Sequence, residues 1–180
     1  MSATYVALLR GINVGGKNML PMKALKEIFV EAGCENVRTY IQSGNVVFSA
    51  APGVSAELPG LITARIAVRF GSRTPVLLRT TEQLRTVISN NPFLDAGAAE
   101  ETLHVAFLAD LPGPHLVDAL DPGRSPPDAF IVRGQEIYLH LPNGAGSTKL
   151  SNAYFDSKLA TTSTGRNWRT VNKLLELMEE

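Results

Sequence analysis

The chain has 180 residues, 44% of them hydrophobic and 19% charged, with 17 basic side chains against 17 acidic ones. That hydrophobic content supports a packed core and excludes a disordered chain, and the length suits one large domain or two small ones. No apolar run nears the ~20 residues that a bilayer span requires, and the single cysteine, Cys34, leaves no internal disulfide and fits a reducing cytoplasm.

The first apolar run, residues 3–9, ends at Arg10 without a basic leader or a cleavage site and reads as a strand, not a signal peptide. Residues 21–32 place Met22, Leu25, Ile28 and Phe29 on one helical face, with Pro21 in the first turn, Gly33 closing the end and Cys34 just beyond as a small apolar residue. Runs 37–42 and 45–49, separated by Ser43-Gly44, predict a tight hairpin. A helix over 54–70 and a strand over 75–79 complete the order β-α-β-β-α-β, the ferredoxin-like arrangement.

Residues 81–91 predict a linking helix, capped by Thr80 or Thr81. The pattern then recurs: strand 103–108, short helix 114–120, hairpin 129–133 and 136–141 around Gly134-Gln135, helix 151–159, a short strand over 160–164 and a last helix over 167–178. The fold class is α+β, two tandem ferredoxin-like (alpha-beta plait) units at 1–80 and 101–180, joined by helix and loop 81–100, with a C-terminal helix. The repeat is one of topology, with no residue-level repeat visible.

Topology decides which motifs meet. In a 4-1-3-2 sheet, strands 1 and 2 run alike, so their C-terminal ends share one edge. Loop 10–18 therefore stands beside the turn Gln42-Ser43-Gly44-Asn45. In the second unit strands 3 and 4 run alike, which predicts a cluster of Lys149 with Arg166 and Asn167, extended by Arg169 and Lys173. Ser151 and Asn167 are candidate caps, and Trp168 is a candidate core anchor.

Residues 11–18 match the Gly-x-x-x-x-Gly-Lys start of a P-loop, and Val105–Asp110 imitates the magnesium-binding strand of such NTPases. Asn18 stands where Ser or Thr must hold magnesium. Pro21 delays the helix, so its free N–H groups do not meet a phosphate at the Gly-Lys. The hairpin after the first helix also breaks the required parallel βαβ, and the NTPase reading fails. A looser anion site survives: Gly15 and Gly16 supply backbone N–H groups, Arg10 and Lys17 supply charge, and the amides of Asn13, Asn18, Gln42 and Asn45 gather on the same edge with Ser43.

His104, His115 and His140 lie on separate elements without ligand spacing, so no metal site is expected, and no cofactor motif is present. His140 and Tyr138 are expected on an outer sheet face. RNA-binding domains of the same β-α order stack bases on aromatics of strands 1 and 3. Tyr5 and Phe48 occupy those strands, but zero net charge disfavours a nucleic-acid reader. Residues 1–80 hold nine Lys and Arg against four Asp and Glu, and residues 81–180 hold eight against thirteen. That asymmetry predicts either attraction between the halves or an anionic ligand for the first.

Four segments, Arg-Gly-Ile-Asn-Val-Gly-Gly-Lys-Asn at 10–18, Tyr-Ile-Gln-Ser-Gly-Asn-Val-Val-Phe at 40–48, Thr-Lys-Leu-Ser at 148–151 and Gly-Arg-Asn-Trp-Arg-Thr-Val at 165–171, resemble the bacterial domain of unknown function 1697 family. The resemblance runs over almost the whole chain. It implies tandem ferredoxin-like architecture and supplies no reaction. The sequence therefore predicts a cytoplasmic protein that binds an anionic, phosphate- or nucleotide-bearing small molecule at loop 10–18 and turn 42–45. Lys149, Arg166 and Asn167 would form a second site or a far wall. The alternatives are a transferase or hydrolase using the same cations, with Lys149 as its base, and a nucleic-acid-binding or structural module. No catalytic residue and no oligomeric state is legible.

Overall fold

Eight strands and eight helices form two four-stranded antiparallel sheets in a computed structural model that describes all 180 residues. The chain divides into a first unit, Met1–Arg85 with Lys173–Glu180, and a second unit, Thr86–Asn172. The fold is α+β with tandem ferredoxin-like units. No helix is long and apolar enough to cross a membrane.

The first unit runs β1 (Ala3–Leu9), α1 (Met22–Glu31), β2 (Glu35–Tyr40), β3 (Asn45–Ala50), α2 (Pro52–Ser55), α3 (Leu58–Phe70) and β4 (Val76–Thr80), with sheet order β2-β3-β1-β4. Strand alternation sends Tyr5, Ala7, Leu9, Val46 and Phe48 to one face, where they pack with Leu25, Ile28 and Phe29 of α1 and Leu58, Ile62 and Ile66 of α3. Val6, Leu8, Val47 and Leu77, at the alternate positions, are buried as well. Burial on both faces is why β1 reads as an unbroken apolar run instead of an alternating one.

The second unit continues from α4 (Thr81–Ser89) through α5 (Pro92–Asp95), β5 (Leu103–Leu108), α6 (Pro114–Asp118), β6 (Ala129–Arg133), β7 (Glu136–His140), α7 (Asn152–Leu159), β8 (Ser163–Asn167) and α8 (Trp168–Glu179), with sheet order β6-β7-β5-β8. Its core joins Ala106, Leu108, Ile137 and Leu139 to Tyr154, Phe155 and Leu159 of α7. The unit boundary falls inside α4 and inside α8.

Four expectations need correction. The helix over 54–70 is two helices, because Pro59 lacks an N–H and restarts the helix from its first turn. The hairpin of the first unit is looser than Ser43-Gly44 predicts: β2 stops at Tyr40, and residues 41–44 form the connection. The strand over 160–164 lies at 163–167 instead, because Ala160 takes a left-handed conformation (φ 52°) that ends α7, and pairing with β5 starts only at Ser163. The expected outer face of Tyr138 and His140 is covered. The Tyr138 hydroxyl donates to the Val87 carbonyl at 2.7 Å, and the Phe93 ring stands 5.7 Å from that of His140. Burial pushes the Tyr138 phenol up to about 12.

The units also repeat position by position, which the residue identities conceal. Leu9 N–H donates to the Gly44 carbonyl at 2.8 Å, and Leu108 N–H to the Gln135 carbonyl at 2.8 Å. Arg10 N–H reaches the Pro75 carbonyl at 3.1 Å, and Ala109 N–H the Thr162 carbonyl at 2.9 Å. Arg79 sits opposite Val6 and Arg166 opposite Val105, so each unit buries one arginine at the same place in its last strand. Thr80 and Asn167 then cap the helix that follows.

Candidate functional site

Three loops meet where β1 ends. Residues 10–21 leave β1, residues 41–44 join β2 to β3, and residues 71–75 lead from α3 into β4. The first is a small hairpin. Val14 and Lys17 form an isolated antiparallel bridge, and Lys17 N–H donates to the Val14 carbonyl at 3.0 Å. Gly15 and Gly16 between them have φ of 58° and 73°, the pair of positive angles that a type I′ turn demands. A Cβ at either glycine would meet nothing within 4 Å, so the backbone angle alone calls for glycine.

Asn13 holds the hairpin to the sheet. Its side chain accepts from Leu20 N–H at 2.7 Å and donates to the Leu20 carbonyl at 3.0 Å and the Gln42 carbonyl at 2.9 Å. One amide thus pairs with its own loop like a strand neighbour and ties that loop to the β2–β3 turn. Asn18 does the same on the other side: it donates to the Gly11 carbonyl at 3.0 Å and accepts from the Ser72 hydroxyl at 3.2 Å. Both asparagines are left-handed, with φ of 55° and 51°, a conformation their short amides tolerate. Ile12 and Leu20 anchor the loop in the core. Asn45 is buried and donates to the Tyr40 carbonyl and the Ser43 hydroxyl, which closes the turn. Gly44 fits so closely that a Cβ would lie 2.9 Å from the Leu9 Cβ.

The predicted two-loop edge therefore exists, with its amides in different employment. Asn13, Asn18 and Asn45 hold backbone together and are occupied. Lys17 and the Gln42 side chain face solvent and form no ion pair or hydrogen bond, and the N–H groups of Gly15 and Gly16 donate to nothing within the chain. Sequence reasoning missed the third loop and its Arg73, which is also exposed. The Thr63 hydroxyl holds this loop by donating to the Thr74 carbonyl at 2.9 Å. Arg10 and Lys17 in the first loop and Arg73 in the third lie on an edge whose three loops contain no Asp or Glu.

The second predicted cluster does not assemble as expected. Arg166 lies within β8, buried, where its guanidinium donates to the Thr164 hydroxyl at 2.7 Å and the Gly165 carbonyl at 2.8 Å; burial lowers its pKa to about 10. The Lys149 side chain is exposed, and its backbone is latched to a neighbouring loop: its N–H donates to the Ser125 hydroxyl at 3.0 Å and its carbonyl accepts from Arg124 Nε at 3.0 Å. Arg124 also lies 4.0 Å over the Tyr154 ring. Asn167 caps α8 through Thr170 N–H at 2.8 Å, and Ser151 caps α7 through Tyr154 N–H. The glycine-rich run 144–149 is thus a folded connection in which Thr148 and the Lys149 backbone serve the fold.

Two other features bear on function. Tyr5 and Phe48 stack on each other at 5.7 Å inside the helix-covered core, so neither offers a ring to a nucleic-acid base. An open groove of about 720 Å³ runs between α1 and β2, lined by Lys26, Val30, Asn36, Arg38, Ser49 and Met178. Its Arg38 is engaged with Glu180 and the Leu177 carbonyl.

Over residues 2–138 the sequence matches the family described as Protein of unknown function (DUF1697), and the chain belongs to that family. Its fold is similar to the solved structure of the conserved bacterial protein SP0830 from Streptococcus pneumoniae, at a TM-score of 0.75 and 22% identity over 100% of both chains. No curated protein matches the sequence.

Proposed function

We propose that the chain binds a small phosphate-bearing anion at the three-loop edge of its first unit. One observation carries this reading: Arg10 and Lys17 in loop 10–21 and Arg73 in loop 71–75 lie on one edge that hydrogen bonds tie together with loop 41–44, and the three loops hold no carboxylate. An edge with cations and no carboxylate attracts anions. The Gly15-Gly16 turn adds two N–H donors next to Lys17. The arrangement needs no helix terminus, which suits a chain whose first helix starts only at Met22.

The roles divide by what is already occupied. Lys17 and Arg73 supply free charge, and Arg10, half-buried and already partnered, adds to the positive field; Gly15 and Gly16 supply N–H groups, and Gln42 orients the ligand beside Ser43, whose hydroxyl already accepts from Asn45. Asn13, Asn18 and Asn45 keep the loops in place. The test is a thermal-shift series with inorganic phosphate, sugar phosphates, nucleotides and carboxylates at millimolar concentration. Stabilisation by phosphate-bearing compounds, reduced in Lys17→Ala and Arg73→Ala, is expected. No shift with any anion, or variants that respond like the parent chain, sinks the reading.

A further inference from the structure

Three of the large apolar side chains left in solvent belong to this same edge. Val14 is 62% exposed, Met19 62% and Ile41 52%. Each is the chain neighbour of one of the three residues that the Asn13 side chain unites: Val14 follows Asn13, Met19 precedes Leu20, and Ile41 precedes Gln42. Each therefore stands one residue from the same hydrogen-bonded hub, on the edge that also carries the cations.

Ile41 adds a second peculiarity. Its φ is 49°, a left-handed angle that a β-branched side chain takes only under strain. Asn or Gly would occupy that position without cost, and burial of the side chain does not repay the strain, because Ile41 is half exposed. Beside it, the Gln42 amide offers a donor NH₂ and an acceptor carbonyl that nothing in the chain uses.

A ligand that answers all of this has an anionic end, flat apolar faces and an edge bearing both a donor and an acceptor. We infer that the edge takes a nucleoside phosphate, with the phosphate on the cationic rim and Gly15-Gly16, the nucleobase covered by Met19, Val14 and Ile41, and the base edge read by Gln42. Amides of this kind pair with the adenine N6 and N7 positions. A bare phosphate or a sugar phosphate leaves the apolar trio uncovered, and an acyl phosphate leaves the Gln42 amide unanswered. The inference rests on the anion-binding reading above and adds the class of the ligand.

The experiment is calorimetric titration of the full chain with AMP, ribose 5-phosphate and inorganic phosphate. Covering about 60 Å² of apolar surface is worth about ten-fold in affinity, so AMP is expected to bind about ten-fold or more tightly than ribose 5-phosphate. Met19→Ser and Ile41→Gly should bring that ratio towards one. Val68→Ser, which changes an apolar side chain 90% exposed on α3, should leave the ratio as it is. Equal affinities for AMP and ribose 5-phosphate, or a ratio that survives both Met19→Ser and Ile41→Gly, overturns the nucleotide assignment while anion binding stands. Failure of all three compounds to bind overturns both.

Discussion

The corresponding loops of the two units start from the same backbone hydrogen bonds and then diverge. After Arg10 the first unit spends residues 10–21 on a pinned hairpin, whereas after the equivalent Ala109 the second unit reaches its helix through residues 109–113 alone. The β2–β3 connection is residues 41–44, and its counterpart is only Gly134 and Gln135. The short version suffices to build the fold, so the longer one carries more than the fold requires. The first unit's excess also has a consistent character: cations without acids, glycines with unused N–H groups, and apolar side chains left in water.

The sharpest contrast in stability is between the hairpin glycines. Gly44→Ala forces a Cβ against Leu9 at a φ of 80° and is expected to cost about 2–5 kcal/mol. Gly134→Ala also suffers a positive φ, but its nearest neighbour is the tip of Glu136 at 3.9 Å, and about 1 kcal/mol is expected. Urea unfolding of both variants measures the difference, and equal losses would deny the first turn its close packing. Asn13→Ala comes next. It removes three hydrogen bonds at once and should cost about 2 kcal/mol, with faster amide exchange at Leu20. Ile41→Gly is expected to act in the opposite direction, raising stability by about 0.5–1 kcal/mol as strain is released, even though it removes a proposed ligand contact.

The units also differ in how they meet acid. All three histidines lie in the second unit. His104 is half-buried, and desolvation holds its pKa below the ordinary value, with a backbone contact at Thr102 opposing. The unfolded chain therefore takes up a proton as pH falls through 6.5 while the folded chain does not, and stability declines from there down to the folded pKa. His104→Gln should flatten that slope. An unchanged pH profile of urea unfolding between 7 and about 5 would show that His104 is not the cause.

Much of the fold was legible because it follows from period and punctuation. The apolar run Val46-Val47-Phe48 in β3, the Leu25, Ile28 and Phe29 spacing in α1, and Gly33 and Gly71 after helices are local signals, and element order decides which loops share an edge. Position 41 reads as strand because β-branched Ile is enriched there, and only the tertiary context puts it in a left-handed turn. Strand β8 was misplaced because Ser-Thr-Gly-Arg-Asn has no apolar alternation, and its register comes from β5. At the site, the residue types were found and their employment was not. An asparagine that orients a ligand and one that pins a loop look alike in sequence, and Arg73 had no motif to announce it.

Binding at the first unit's edge is tested most directly by amide chemical shifts during a phosphate titration of the full chain. The expected result is saturable movement of Gly15, Gly16 and Lys17, with the residues of the equivalent loop, Ala109 to Gly113, unmoved. Still amides at Gly15 and Gly16, or equal movement in both loops, would contradict anion binding at this edge.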